Sequence, residues 1–150
     1  SMGLKLIVAG EFYQSKNNYI DKVNSLNLHD RVIIHDKYIK NKEVKNYFCA
    51  ADIVVQPYLA ATQSGVSMVA YNFNKPMVLT NVGGLSEYVV NRKDGYLVNA
   101  DKDAIAAALE DFYINSRELK FRHAIQEKKK HFTWGKLTDK FDEIYNSIRK

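Results

Sequence analysis

Short apolar runs alternate with longer stretches in which apolar residues return every three or four positions. Leu4 to Ala9 (LKLIVA) is apolar and closes on Gly10, which predicts a short buried strand. Val32-Ile33-Ile34, Ile53-Val54-Val55, Met77-Val78-Leu79 and Tyr96-Leu97-Val98 predict four more, the third strand stopped by Pro57 and the fifth entered through the turn Lys93-Asp94-Gly95. Between them the period changes. Ile20, Val23 and Leu26 fall on one side of a helix over 17–27. Asn41 starts another, with Val44, Tyr47, Phe48 and Ala51 at i, i+3, i+4 and i+7. Gly65 to Tyr71 and Leu85 to Val90 predict two short helices. Asp101 caps a helix striped by Ile105, Ala108, Leu109 and Phe112, and Ser116 is placed to cap the next. The last helix carries Leu137, Phe141, Ile144, Tyr145 and Ile148 on one face.

Strands that alternate with helices through short loops predict an α/β fold, a Rossmann-like parallel sheet with helices on both faces and further helices at the C-terminal end. The strands are apolar without alternation, as expected when both faces are covered. In such sheets ligands bind beyond the carboxyl ends of the strands. Gly10, the stretch Asp36 to Ile39, Gly65, Gly83 and Gly84 all follow predicted strands and are expected to converge on one rim.

Thr62-Gln63-Ser64-Gly65 lies between a strand and a helix. The first N–H groups of a helix lack internal partners and carry the positive end of its dipole, which suits an anion such as phosphate. Thr62 and Ser64 hydroxyls add hydrogen-bonding capacity. The plain alternative is that Ser64 is an N-cap and Gly65 a turn residue. Gly83-Gly84 offers a second contact of the same kind before the next short helix, or is a plain turn. Glu87 is read either as a partner for a sugar hydroxyl or as a carboxylate favoured at that helix's N-terminus. Of the aromatic residues outside helical stripes, Tyr38 is placed to stack on a base, Tyr58 stands at the mouth of the proposed site, and Tyr71 completes the set.

The chain has 150 residues, the size of one domain, with 46% hydrophobic and 26% charged residues. Its net charge of +5 mildly favours anionic ligands. The basic residues are scattered except for Lys128-Lys129-Lys130, read as a solvated helix face, with acidic lipid or nucleic acid as the alternative. A single cysteine, Cys49, forms no internal disulfide and fits a reducing compartment. No apolar run reaches the roughly 20 residues that span a bilayer, and no signal-peptide pattern is read. The histidines, His29, His35, His123 and His131, have no metal-ligand spacing, so no metal is expected. No P-loop, GxGxxG, nucleophile elbow or pair of catalytic carboxylates is present, and no RNA-binding motif. Ser1-Met2-Gly3 reads as an expression scar.

The stretches LIVAGEF, AADIVVQPY, NKPMVLTNVGGLSEYV, DGYLV and FTWGKLTDKFDEIY, in that order and over most of residues 4–148, resemble the C-terminal half of a GT-B fold glycosyltransferase of the retaining family 4 type. The resemblance implies that residues 4–150 form a donor-binding domain whose acceptor-binding N-terminal domain is absent. The donor is then a nucleotide-sugar, UDP- or GDP-linked, entering as substrate, with no cofactor and no metal. The resemblance places the base near Tyr38 and Ile39, and diphosphate and sugar near Gln63, Ser64, Gly65 and Val66 and near Gly83 and Gly84. Transfer proceeds with retention, through positioning and stabilisation of the leaving diphosphate.

Two glutamates usual in that family, eight residues apart before a Lys-Pro pair, align with Ala61 and Val69, so Thr62 and Gln63 are expected to supply polar contacts instead. The resemblance also implies a cytoplasmic protein, peripheral at the inner membrane face through regions outside this chain, and a fragment that does not turn over by itself. A fragment of a GT-B sugar-nucleotide epimerase and a non-catalytic Rossmann-like interaction module are the alternatives.

Overall fold

The computed structural model describes residues 3–13, 15–130 and 134–148, the side chains of 134, 136 and 137 excepted. Ser1, Met2, His131 and the Leu137 side chain therefore lie outside the described residues. The chain divides into two compact units, residues 1–47 and 48–150.

The first unit contains β1 (Leu6–Ala9), α1 (Asn17–Ser25) and β2 (Val32–His35). The strands pair in parallel, Leu6 opposite Val32 through Ala9 opposite His35. Burial on both faces, expected from the apolar pattern, is not found here. All four residues of β1 are exposed, Leu6 at 52% and Ile7 at 44%. Two short strands and one nine-residue helix offer too little surface to enclose either face of the ladder. The helix also stops before Leu26, which is its C-cap and is exposed instead of completing the stripe of Ile20 and Val23.

The helix α2 (Asn41–Ala50) carries the division between the units, and its expected stripe of Val44, Tyr47 and Phe48 is half-buried. The second unit then holds β3 (Val54–Gln56), α3 (Gly65–Asn72), β4 (Met77–Thr80), β5 (Tyr96–Val98), α4 (Lys102–Ile114), α5 (Glu118–Lys129) and α6 (Trp134–Ile148). Its three strands are parallel in the order β3-β4-β5. The parallel α/β architecture with flanking helices is as expected, and its strands are divided between two hydrogen-bonded ladders.

The core lies in this second unit. β4 is buried along its whole length because it is the central strand. Met77 and Leu79 point into one cluster with Ala70, Leu85 and Val89, and Val78 into another with Tyr96, Ala108, Phe112 and Phe121. Apolar helices thus cover both faces of this sheet, as its unalternating strands required.

Three local expectations are corrected. Leu85 to Val90 is not an α-helix; the segment forms a 3-10 turn over Gly83–Glu87, so Glu87 ends an element instead of starting one. Ser116 does not cap α5: it takes a left-handed φ of 49°, and Arg117 occupies the cap position without a side-chain bond. The lysine run is not a uniformly solvated face. Lys128 Nζ donates to the Tyr88 carbonyl at 2.9 Å and pairs with Asp94 at 3.2 Å, while Lys129 Nζ donates to the Asn72 carbonyl at 2.8 Å. Only Lys130, paired with Glu127 on the surface, matches the expectation. Asp101, by contrast, caps α4 as read, its Oδ1 accepting from the amides of Asp103 and Ala104.

Candidate functional site

β3 ends on Gln56, and Pro57 closes the ladder because it has no N–H to donate. The chain then runs as a loop over 57–64 before α3 begins. Thr80, the last residue of β4 and fully buried, fixes that loop by donating its hydroxyl to the Tyr58 carbonyl at 2.6 Å. The next loop, at Val82 to Gly84, packs against the first. A Cβ on Gly83 would overlap the Ala61 carbonyl, and one on Gly84 would overlap the Thr62 carbonyl. Gly83 also has a φ of 50°, a left-handed conformation that side chains disfavour. The Gly-Gly pair is therefore required by backbone meeting backbone, whatever else binds there.

The two loops border an open groove of about 550 Å³, lined by Leu59, Ala60, Ala61, Thr62, Val82 and Gly83. The first turn of α3 follows directly. Ser64 is its N-cap: its backbone is extended and its Oγ accepts from the Ser67 amide at 3.1 Å. Ser64 is 5% exposed and donates its hydroxyl to Gln56 Oε1 at 2.7 Å, so its side chain is committed to the interior. Among the described residues the amides of Gly65 and Val66 have no partner, as expected for the first positions of a helix. Both residues are exposed, and a Cβ on Gly65 would meet nothing within 4 Å. Gly65 thus differs from Gly83 and Gly84, since packing does not explain it. Thr62 and Gln63 are exposed too, and among the described residues their side chains make no hydrogen bond.

The remaining expected site residues lie elsewhere. Glu87 is exposed at the end of its turn. Tyr38, 64% exposed, and the half-buried Ile39 belong to the first unit, in the segment after β2. There Asp36 accepts from Lys16 Nζ at 2.7 Å and from the Phe12 amide at 3.3 Å, which ties the loop after β1 to the loop after β2. The lysine, then the amide, hold the Asp36 carboxyl below the usual carboxylate range. The structure brings Thr62 to Val66 together with Gly83 and Gly84 in the second unit.

Sequence reasoning missed Gln56, Ser67 and Thr80, all buried polar residues under this loop. Gln56 left a signal: a polar residue ends an otherwise apolar strand, immediately before Pro57. Among the described residues no group of three or more His, Cys, Asp or Glu is gathered as metal ligands, and no helix is long and apolar enough to cross a membrane.

The family model of glycosyl transferases group 1 matches residues 1–115. The chain belongs to this family. Over 90 residues it is 34% identical to D-inositol 3-phosphate glycosyltransferase of Paenarthrobacter aurescens (strain TC1), covering 58% of this chain and 22% of that protein. The group 1 chain therefore spans about a fifth of that relative's length. Among solved structures it resembles Alr3699/HepE of Anabaena in complex with UDP (TM-score 0.76, 17% identity, 96% of this chain and 41% of that one). It also resembles sucrose-phosphate synthase of Thermosynechococcus elongatus (TM-score 0.74, 22% identity, 97% and 38%). These likenesses show the fold, that of a GT-B glycosyltransferase domain.

Proposed function

We propose that this chain is the donor-binding half of a retaining glycosyltransferase of the family 4 type, which transfers a hexosyl group from a UDP- or GDP-linked sugar. The observation that carries the reading is the first turn of α3. Its exposed residues Gly65 and Val66 carry amides with no partner among the described residues, the glycine's missing side chain leaves room, and the turn follows in sequence the loop that lines the open groove as far as Thr62. Such a turn favours a phosphate group through N–H donors and the helix dipole together. The family gives that chemistry a context, and HepE, a structural neighbour, was crystallised with UDP.

In this reading the amides of Gly65 and Val66 and the Thr62 hydroxyl hold the diphosphate. The backbone at Gly83 and Gly84 and the Gln63 side chain face the sugar, and Glu87 is a further hydroxyl partner. Ser64 acts through the position it gives the turn. The first unit, taken by itself, offers the exposed Tyr38 ring, next to Ile39 in sequence, as a surface on which a base can stack. Stabilising the departing diphosphate is the chemical contribution of the turn. The donor is a substrate, the acceptor comes to a part of the protein outside this chain, and the work is done on the cytoplasmic side. The chain alone is expected to bind donor without transferring sugar.

Titrating the chain with UDP, GDP and their sugar conjugates, followed by amide NMR, tests the reading. Shifts concentrated at 62–66, Gly83 and Gly84, with one nucleotide preferred, are expected. No shifts at millimolar ligand would overturn it in favour of a non-catalytic interaction module, the reading that Ala61 and Val69 favour by standing where a carboxylate pair is usual. Sugar transfer by the chain alone would overturn the claim that it is inactive by itself.

A further inference from the structure

We propose that Gln56 is a positioning residue for the phosphate-facing turn of α3. The inference rests on the donor-binding reading above and adds to it the group that sets the turn. Gln56 is 2% exposed at the carboxyl end of β3. Its Oε1 accepts the Ser64 hydroxyl at 2.7 Å and the Ser67 hydroxyl at 3.1 Å. Ser64 Oγ in turn accepts from the Ser67 amide at 3.1 Å. The three residues, none more than 5% exposed, form a ring closed through the Ser67 amide that fastens the strand to the first turn of the helix. The Gln56 carbonyl also accepts from Thr80 Oγ1 at 3.4 Å, the same hydroxyl that holds the loop at Tyr58.

Two features indicate more than a tie. First, Gln56 takes both serine protons, so each hydroxyl is turned inward and the Ser67 amide is occupied. The outward donors of the turn are then the amides of Gly65 and Val66, and their direction is set from beneath. Second, Gln56 Nε2 is buried with no partner among the described residues. Leaving a buried N–H unsatisfied is unfavourable, and an apolar residue of the same shape would avoid that penalty. Function accounts for keeping the amide: its oxygen orients the turn, and its unpaired N–H is the accompanying cost.

The test compares the wild-type chain with Gln56→Met, which keeps the side-chain volume and removes the acceptor. Each is titrated calorimetrically with UDP and GDP and with UMP and GMP. The wild type is expected to prefer the diphosphate of one nucleoside. In the variant that diphosphate weakens about tenfold while the monophosphate changes much less, so the preference collapses. Ser67→Ala, which keeps the capping amide and deletes one bond of the ring, is expected to give the same pattern at about threefold. It decides the matter if Gln56→Met fails to fold. A preserved diphosphate preference in the folded variants would overturn the positioning role while leaving donor binding intact, and so would an equal loss for both ligands. A wild type that binds none of these nucleotides would overturn the donor-binding reading and this inference with it.

Discussion

Lys128 Nζ lies 3.2 Å from Asp94 Oδ2, and the pair fastens α5 to the turn before β5. Asp94 is 3% exposed, and its other oxygen accepts from the Val90 amide at 2.6 Å. The same ammonium donates to the Tyr88 carbonyl and stands 5.7 Å from the centre of the Tyr71 ring. Removing one member of a pair with a buried carboxylate leaves a charge without its partner. Lys128→Met is therefore expected to lower stability by about 2–4 kcal/mol in urea unfolding. Lys130→Met, at the exposed pair with Glu127, should change it by less than about 1 kcal/mol.

The glycines of the site divide by the space around them. Gly83→Ala forces a Cβ onto the Ala61 carbonyl at a left-handed φ, and is expected to cost more than about 2 kcal/mol of stability. Gly65→Ala adds a methyl group to open space at the start of a helix, and should leave stability unchanged or raise it by about 0.5 kcal/mol. Under the proposed function the same change weakens nucleotide binding, because the methyl group intrudes on the phosphate. Thermal unfolding and calorimetric titration of the two variants measure both effects.

Among the described residues the buried Tyr71 hydroxyl has no hydrogen-bond partner. Burial, and then the nearby Asp94 carboxylate, push its pKa up to about 12. An unfolded tyrosine ionises near pH 10, so between about pH 10 and 12 the unfolded chain has lost a proton that the folded chain keeps. Stability attributable to this group is fully present below pH 10 and falls as pH rises through that window. Tyr71→Phe is expected to be neutral or stabilising by about 0.5–1 kcal/mol at pH 7, since it deletes an unsatisfied polar group. It should also flatten the alkaline decline measured by urea unfolding at successive pH values.

Asp111 shows the opposite sign. Its carboxylate accepts from the Tyr96 hydroxyl at 2.6 Å and from Arg117 Nε at 3.2 Å. The tyrosine hydrogen bond first, and the guanidinium second, hold its pKa below the usual carboxylate range. The stabilisation is present above the unfolded carboxyl's pKa, near 4, and is lost as pH falls below it through the folded value. Tyr96→Phe should remove more of this acid-range dependence than Arg117→Met, and should cost about 1.5–3 kcal/mol at neutral pH through the lost bond to a charged group. Circular dichroism along an acid titration distinguishes the two.

Much of this was legible in the order of residues. The five strands and most of the helices follow from apolar runs and helical spacing, because those periods are properties of the backbone. Ser64 and Asp101 declared themselves as caps, since their side chains bond within their own turn. Ser116 failed as a cap because Asn115 and Arg117 are held by bonds back into α4, which leaves Ser116 in a left-handed bend. The residues 85–90 failed as a helix because Gly83 and Gly84 are pinned against the neighbouring loop and the chain tightens there into a 3-10 turn.

By itself the sequence determined the parallel α/β class, the family resemblance, and the place of the Thr62–Val66 and Gly83-Gly84 breaks after buried strands. These are local facts of period, turn chemistry and motif order. Tertiary structure alone decided which glycine is needed for packing and which leaves space, which lysines turn inward, and that Gln56, Ser64 and Ser67 close a ring beneath the first turn of α3. Those outcomes depend on contacts between residues distant in the chain or brought together by a loop, and no spacing along the sequence encodes the distance between them.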